Sequence, residues 1–147
     1  MTINGQTETI KSAFYEELPA DSSDEAEFDL YLLKESVSQI PDEEPSFYIN
    51  IEVSESLYGK TLDLTKPIEK SSNLQPYLYI NAVGSEKDFS IEYYDNKIRV
   101  TNDATVTAGT LTATRNGDNF TIKLSATLSD GQSVSVDWKG TAKKENL

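Results

Sequence analysis

From residue 77 onward the chain alternates apolar and polar side chains almost without a break. The alternating runs are "YLYINAV", "FSIEYY", "KIRV", "TVTAGTLTATR", "NFTIKLSATL" and "SVSVDWKGTA", and Asp95-Asn96, Asn116-Gly117 and Asp130-Gly131 stand between some of them. Period two sends successive side chains to opposite faces of a strand. Gaps of about two to five residues can join only antiparallel neighbours, because parallel strands need crossovers of a dozen residues or more. The chain must therefore build sequential hairpins, each buried on one face.

Register follows from the same alternation, since a slip of one residue would turn every apolar side chain outward. Taking Asn116-Gly117 as a two-residue loop sets Arg115 opposite Asp118, Ala113 opposite Phe120 and Leu111 opposite Ile122. Around Asp95-Asn96 the pairs are Tyr93 with Ile98, Glu92 with Arg99 and Ile91 with Val100. For "SDG" a three-residue loop with Gly131 left-handed sets Ala126 opposite Val134, Leu124 opposite Val136 and Ile122 opposite Trp138. Trp138, in phase with Val134 and Val136, reads as core.

The first half is less regular. "AEFDLYLLKE" (26–35) and "PSFYINIEVS" (45–54) alternate and read as strands, "KTLDLTK" (60–66) reads as a short one, and "TETIKSAFYEEL" (7–18) suits either a helical face or a strand, of which strand agrees with the rest. "PADSSDEA", "QIPDEEP" and "KPIEKSSNLQP" are loops. Eight to ten strands in one domain spanning residues 1–147 must protect their edges. The expected fold is all-β, an antiparallel meander closing into a lipocalin-like up-and-down barrel, with a two-sheet sandwich as the alternative.

Composition removes several chemistries. The 147 residues include no cysteine and no histidine. Disulfides, thiolate zinc sites and Ser-His or Cys-His nucleophile pairs are all excluded. The apolar runs are strand-length, so no transmembrane helix is expected. The net charge of −12 sits in residues 1–55, where 14 acidic groups meet only Lys11 and Lys34. Such a balance repels phosphate and argues against a nucleic-acid partner.

"DSSDE" (21–25) and "PDEEP" (41–45) crowd carboxylates but lack the alternate ligands and central glycine of a calcium loop, and "NGDN" (116–119) fits a hairpin turn better, so neither metal nor cofactor is expected. Paired carboxylates alone could hydrolyse glycosides. With 25 acidic residues, however, no pair is distinguished in the sequence. Tyrosines offer more. Tyr31 shares a strand face with Asp29 and Leu33, Tyr48 with Asn50 and Glu52, and Tyr77 with Tyr79 and Asn81. Rings mixed with amides and carboxylates are suited to holding a sugar or a peptide. Tyr31, Tyr48, Tyr77 and Tyr79 are thus the candidate ligand-binding residues.

The C-terminal third, "AGTLTATRNGDNFTIKLSATLSDGQSVSVDWKGTAKK", resembles the closing hairpins of small exported proteins of Bacteroidetes, in which "G-x-L-x-V-x-R-x-G-D-x-Y-x-I" leads to "D-G-x-x-V-x-x-x-Y-x-G". "FDLYLLKE" and "SLYGKTLDL" are similar to earlier strands of that group. The resemblance implies a lipid-anchored or secreted β-domain outside the cytoplasm and assigns no activity. "MTINGQTETI" has neither a signal segment nor a lipidated cysteine, consistent with a chain that starts after them. The functional expectation is a non-catalytic binding or scaffold module with a glycan or protein partner at the cell surface. The alternatives are a small histidine-free glycosidase and a barrel carrying an apolar ligand.

Overall fold

The computed structural model describes residues 1–68, 73–85 and 87–145. Among these residues, thirteen strands form two sheets. Sheet A is built from β1 (Thr2–Ile3), β2 (Gln6–Thr7), β6 (Thr61–Asp63), β10 (Val106–Asn116), β11 (Asn119–Leu128) and β12 (Ser133–Thr141), in the order β2-β1-β12-β11-β10-β6. Sheet B contains β3 (Ser12–Leu18), β4 (Glu27–Leu33), β5 (Tyr48–Ser54), β7 (Leu78–Val83), β8 (Asp88–Tyr94), β9 (Lys97–Val100) and β13 (Lys143–Lys144), in the order β13-β3-β4-β5-β7-β8-β9. Within residues 7–18, Ser12–Leu18 forms strand β3 and no helix forms. Helical turns among the described residues are limited to Glu55–Leu57 and Thr101–Asp103, far too short to cross a membrane.

Both strand orders are open, and no pairing among the described residues closes a barrel. The two-sheet arrangement agrees with the sandwich alternative. The meander divides at Thr101–Asp103, where Asn102 and Asp103 take left-handed backbone angles and the chain leaves sheet B for sheet A. At the opposite side β12 ends at Thr141, and after Ala142 the chain enters sheet B as β13, parallel to β3. All pairs between named strands within residues 77–141 are antiparallel, as the short gaps require.

The hairpins at 91–100 and 122–138 have the registers derived from the alternation. Asp95 and Asn96 both have positive φ, which a type I′ turn needs, and Gly131 has φ +89. The hairpin at 111–122 corrects the expectation. Arg115 stands opposite Phe120, Ala113 opposite Ile122 and Leu111 opposite Leu124, each partner two residues further on than derived. The turn consists of Gly117 and Asp118, with Gly117 at φ +61 in the first central position, as a II′ turn demands. A shift of two preserves both faces, so alternation cannot detect it. Local contacts favour the observed turn: Arg115 Nε donates to the Gly117 carbonyl at 2.7 Å, and the Ala142 amide donates to that of Asp118 at 2.9 Å.

The inner faces share one core. Phe28, Leu30, Leu32, Ile49, Ile51, Val53, Ile80 and Ile91 of sheet B and Leu111 and Ile122 of sheet A are fully buried in it. Phe120 joins the sheets, with its ring 5.1 Å from Tyr15 and 5.1 Å from Phe28, both edge-on. Arg115 closes this end of the core, stacked 4.6 Å from the centre of the Tyr15 ring and ion-paired to Glu17. Trp138 lies at the core margin, partly buried and covering Gly140.

Phe120→Ala should therefore cost about 3–5 kcal/mol, read from urea unfolding as a lower midpoint at unchanged slope. A loss below about 1 kcal/mol would show that the sheets do not depend on this ring.

Candidate functional site

The side chains that alternate away from the core on sheet B stand in four cross-strand rows. Ser12, Leu33, Tyr48, Val83 and Asp88 form the first. The second runs Phe14, Tyr31, Asn50, Asn81, Ser90, and the third Glu16, Asp29, Glu52, Tyr79, Glu92, Arg99. The fourth holds Leu18, Glu27, Ser54, Tyr77, Tyr94 and Lys97; in it Ser54 and Tyr77 meet through the Ser54 amide on the Tyr77 carbonyl at 3.0 Å. All four candidate tyrosines lie on this one face.

They do not form one group. The first row is covered: its Leu33, Tyr48 and Val83 pack with Phe14 and Tyr31 of the second row and with Ile40. Residues 34–46 are tied down over it by Ser12 Oγ, which donates to the Glu35 carbonyl at 2.7 Å, and by the Tyr48 hydroxyl, which donates to Glu44 at 2.7 Å. Tyr48 is 8% exposed, so its ring serves packing. Tyr31 is half-buried and donates its hydroxyl to Asp29 at 3.1 Å. Tyr77 and Tyr79 stand parallel within 6°, with centres 6.4 Å apart, at the uncovered end. Tyr94, which the alternation left unremarked, meets Tyr77 edge-on at 5.9 Å.

The third row has the unusual electrostatics. Glu16, Asp29 and Glu52 occupy directly opposed positions on β3, β4 and β5, where like charges destabilise a sheet. Burial, then the charges of Asp29, Glu27 and Glu92, pushes Glu52 up to about 8. Glu52 therefore keeps its proton at neutral pH and shares it in a hydrogen bond with Asp29. Asp29, 7% exposed, is itself raised because burial outweighs the hydrogen bonds it accepts from Asn50, Tyr31 and Glu52. Glu27 is pushed up to about 7 by burial, with Asp29 and Asp24 adding to it. Burial, Asp29 and Glu145 raise Glu16. Burial and neighbouring carboxylates also raise Tyr31, Tyr77 and Tyr79, which stay protonated phenols.

None of these carboxyl groups forms a metal cage: among the described residues no set of three or more acidic side chains is placed to hold an ion. Asp21 of "DSSDE" instead caps its own turn, accepting from the Ser23 and Asp24 amides at 2.8 Å each. The carboxyl residues were missed because their phase was legible but their neighbours were not. Asp29 and Glu52 become adjacent only once β4 pairs with β5, and Glu92 joins them only because β6 leaves for sheet A and lets β5 pair with β7.

A proton bound by the folded chain and not by the unfolded one makes stability fall as pH rises. Glu52 and Glu27 release theirs at about 8 and about 7 when folded, against an ordinary 4.5, so the loss spans the interval from about 4.5 to 8. The melting temperature should drop by several degrees between about pH 5 and pH 8.5, and Glu52→Gln should flatten that slope and melt higher than the parent at pH 8.5. A flat parent profile in calorimetry would refute the proton retention. Comparison of the chain with family models, with characterised proteins and with solved structures finds no match.

Proposed function

We propose that the protein is a non-catalytic binding module that holds its ligand against the outer face of sheet B, with Tyr79, Tyr77 and Tyr31 as the apolar contacts and the carboxyl row as the polar one. The observation that carries this reading is the third row itself, acceptor-rich and without a cation until Arg99 at its end. A ligand suited to it brings hydrogen-bond donors and positive charge. A basic polypeptide segment fits better than a neutral glycan, whose hydroxyls leave the carboxyl charge unbalanced. Location outside the cytoplasm, at the cell surface, belongs to the same proposal and rests on the resemblance of the closing hairpins.

Two alternatives fit less well. A glycosidase needs two carboxyl groups about 5 Å or more apart to flank the scissile bond. Asp29 and Glu52, opposed across β4 and β5, are hydrogen-bonded to each other, and Asp29 is buried. A carrier of apolar ligands needs a lumen, whereas Phe28, Ile51, Ile80, Leu111 and Phe120 fill the space between the sheets.

Immobilised protein should show saturable, salt-sensitive binding of lysine- and arginine-containing peptides, without hydrolysis of peptides or polysaccharides on a parallel panel. Tyr79→Ala should weaken binding about tenfold with its melting curve intact, consistent with one lost ring contact. Selective retention of a neutral polysaccharide would move the ligand to the glycan class, and turnover abolished by Asp29→Asn would overturn the non-catalytic reading.

A further inference from the structure

At the open end of the fourth row, Asp24, Glu25, Glu27, Tyr77 and Tyr94 line a cleft of about 190 Å³. Its two rings meet at 78°, forming a corner rather than a platform. The carboxyl groups differ in what occupies them. Glu25 accepts from the Ser56 amide at 3.0 Å and the Ser56 hydroxyl at 2.9 Å. Asp24 lies 3.4 Å from the Tyr94 hydroxyl, which points to it. Glu27 has one carboxyl oxygen shielded from water with no hydrogen-bond partner. A carboxyl oxygen closed off from water without a donor leaves its charge uncompensated, and a cation seated in the cleft would offset that cost through space. Among the described residues, no lysine or arginine lines the cleft.

We propose that this cleft binds an alkylammonium head group, with Glu27 as its counter-ion and the Tyr77–Tyr94 corner against its methylene or methyl groups. Two aromatic faces set at a steep angle beside a carboxylate attract a cation through the ring quadrupoles and reject a neutral group of the same shape. The volume admits one ammonium with its adjoining carbons, not an extended chain. Tyr94, 45% exposed, keeps the cleft accessible. The raised proton affinity of Glu27 agrees with an anion that lacks a partner in the free protein. The inference rests on the binding-module reading and narrows it: the ligand's charge is delivered here by a primary or quaternary amine.

The test is an NMR titration of the full chain at about pH 8, following the ring signals of Tyr77 and Tyr94. The probes are Nα-acetyl-lysine methylamide, choline and glucosamine, with Nα-acetyl-norleucine methylamide as the neutral control. The lysine derivative and choline should shift both rings saturably, and the norleucine control should bind at least about tenfold more weakly. Glu27→Gln and Tyr94→Ala should each weaken amine binding about tenfold, while Tyr48→Phe, beneath residues 34–46, should leave it unchanged. Glucosamine binding as tightly as the lysine derivative would support the ammonium site and name an amino sugar as its source. Equal shifts with the norleucine control, unchanged affinity in Glu27→Gln, or no saturable shift would each overturn the proposal. If small amines leave Tyr94 unmoved while basic peptides still bind and are lost in Tyr79→Ala, the cleft inference alone fails. If neither binds, both readings fail.

Discussion

Phe120 reaches from sheet A into the first hairpin of sheet B, and its edge-on contacts with Tyr15 and Phe28 set what the rest of the molecule can do. Those contacts fix Tyr15 and Phe28 as inward residues, which fixes the phase of β3 and β4. With the phase settled, Glu16, Glu27 and Asp29 have no choice but to point outward, and pairing then brings Glu16 and Asp29 face to face. A slip of one residue would relieve the charges and expose the core, a far larger loss. Arg115 seals the same junction, stacking on Tyr15 and pairing with Glu17, whose carboxyl is held below its ordinary range first by that guanidinium and then by Lys144. The inner packing thus dictates the outer electrostatics.

Once the carboxyl groups are opposed, protons resolve the conflict. A buried pair of like charges cannot both ionise at low cost, so Glu52 retains its proton and Asp29 accepts from it. The neighbouring polar groups serve the same end. Asn50, 6% exposed, donates to Asp29 and to the Leu30 carbonyl, and Tyr77 donates to Glu92 at 2.9 Å. These donors hold the acceptors in fixed positions, which is what recognition of a shaped ligand needs. The face is therefore graded, from the apolar row closed by residues 34–46 to the fourth row, where Tyr94 is open to solvent.

Much of this fold was legible in the sequence, for a specific reason. Side-chain phase is a local property, and every strand face assigned from 28–33, 47–53 and 77–83 is the one observed. Hairpin register was legible where the turn residues were decisive, as at Asp95-Asn96 and Gly131. It failed at Asn116-Gly117, where two turns differing by a shift of two leave identical faces and distant contacts choose between them. Closure into a barrel or a sandwich depends on where the meander divides, and that break at Asn102 and Asp103 carries no strong pattern. Tyr77 and Tyr79 could be placed together because they share a strand. Asp29, Glu52 and Glu92 could not, because their adjacency is a property of strand order.

The outer face of sheet A follows the ordinary rules of cross-strand pairing. There Lys123 stands opposite Asp137, and hydroxyls pair across strands, Thr61 with Thr112 at 3.1 Å and Thr2 with Thr7 at 2.9 Å. Opposite charges and small hydroxyls in register stabilise a sheet and keep it soluble. The outer face of sheet B breaks both rules, placing acids opposite acids and leaving rings beside them. The same cross-strand physics governs both sheets, so solubility cannot account for the difference. Local rules are broken chiefly where a site requires it, and the carboxyl row costs stability across the neutral range that lysines at two of its positions would restore. That contrast within one molecule is the strongest physical reason to test the outer face of sheet B, rather than that of sheet A, for the proposed binding.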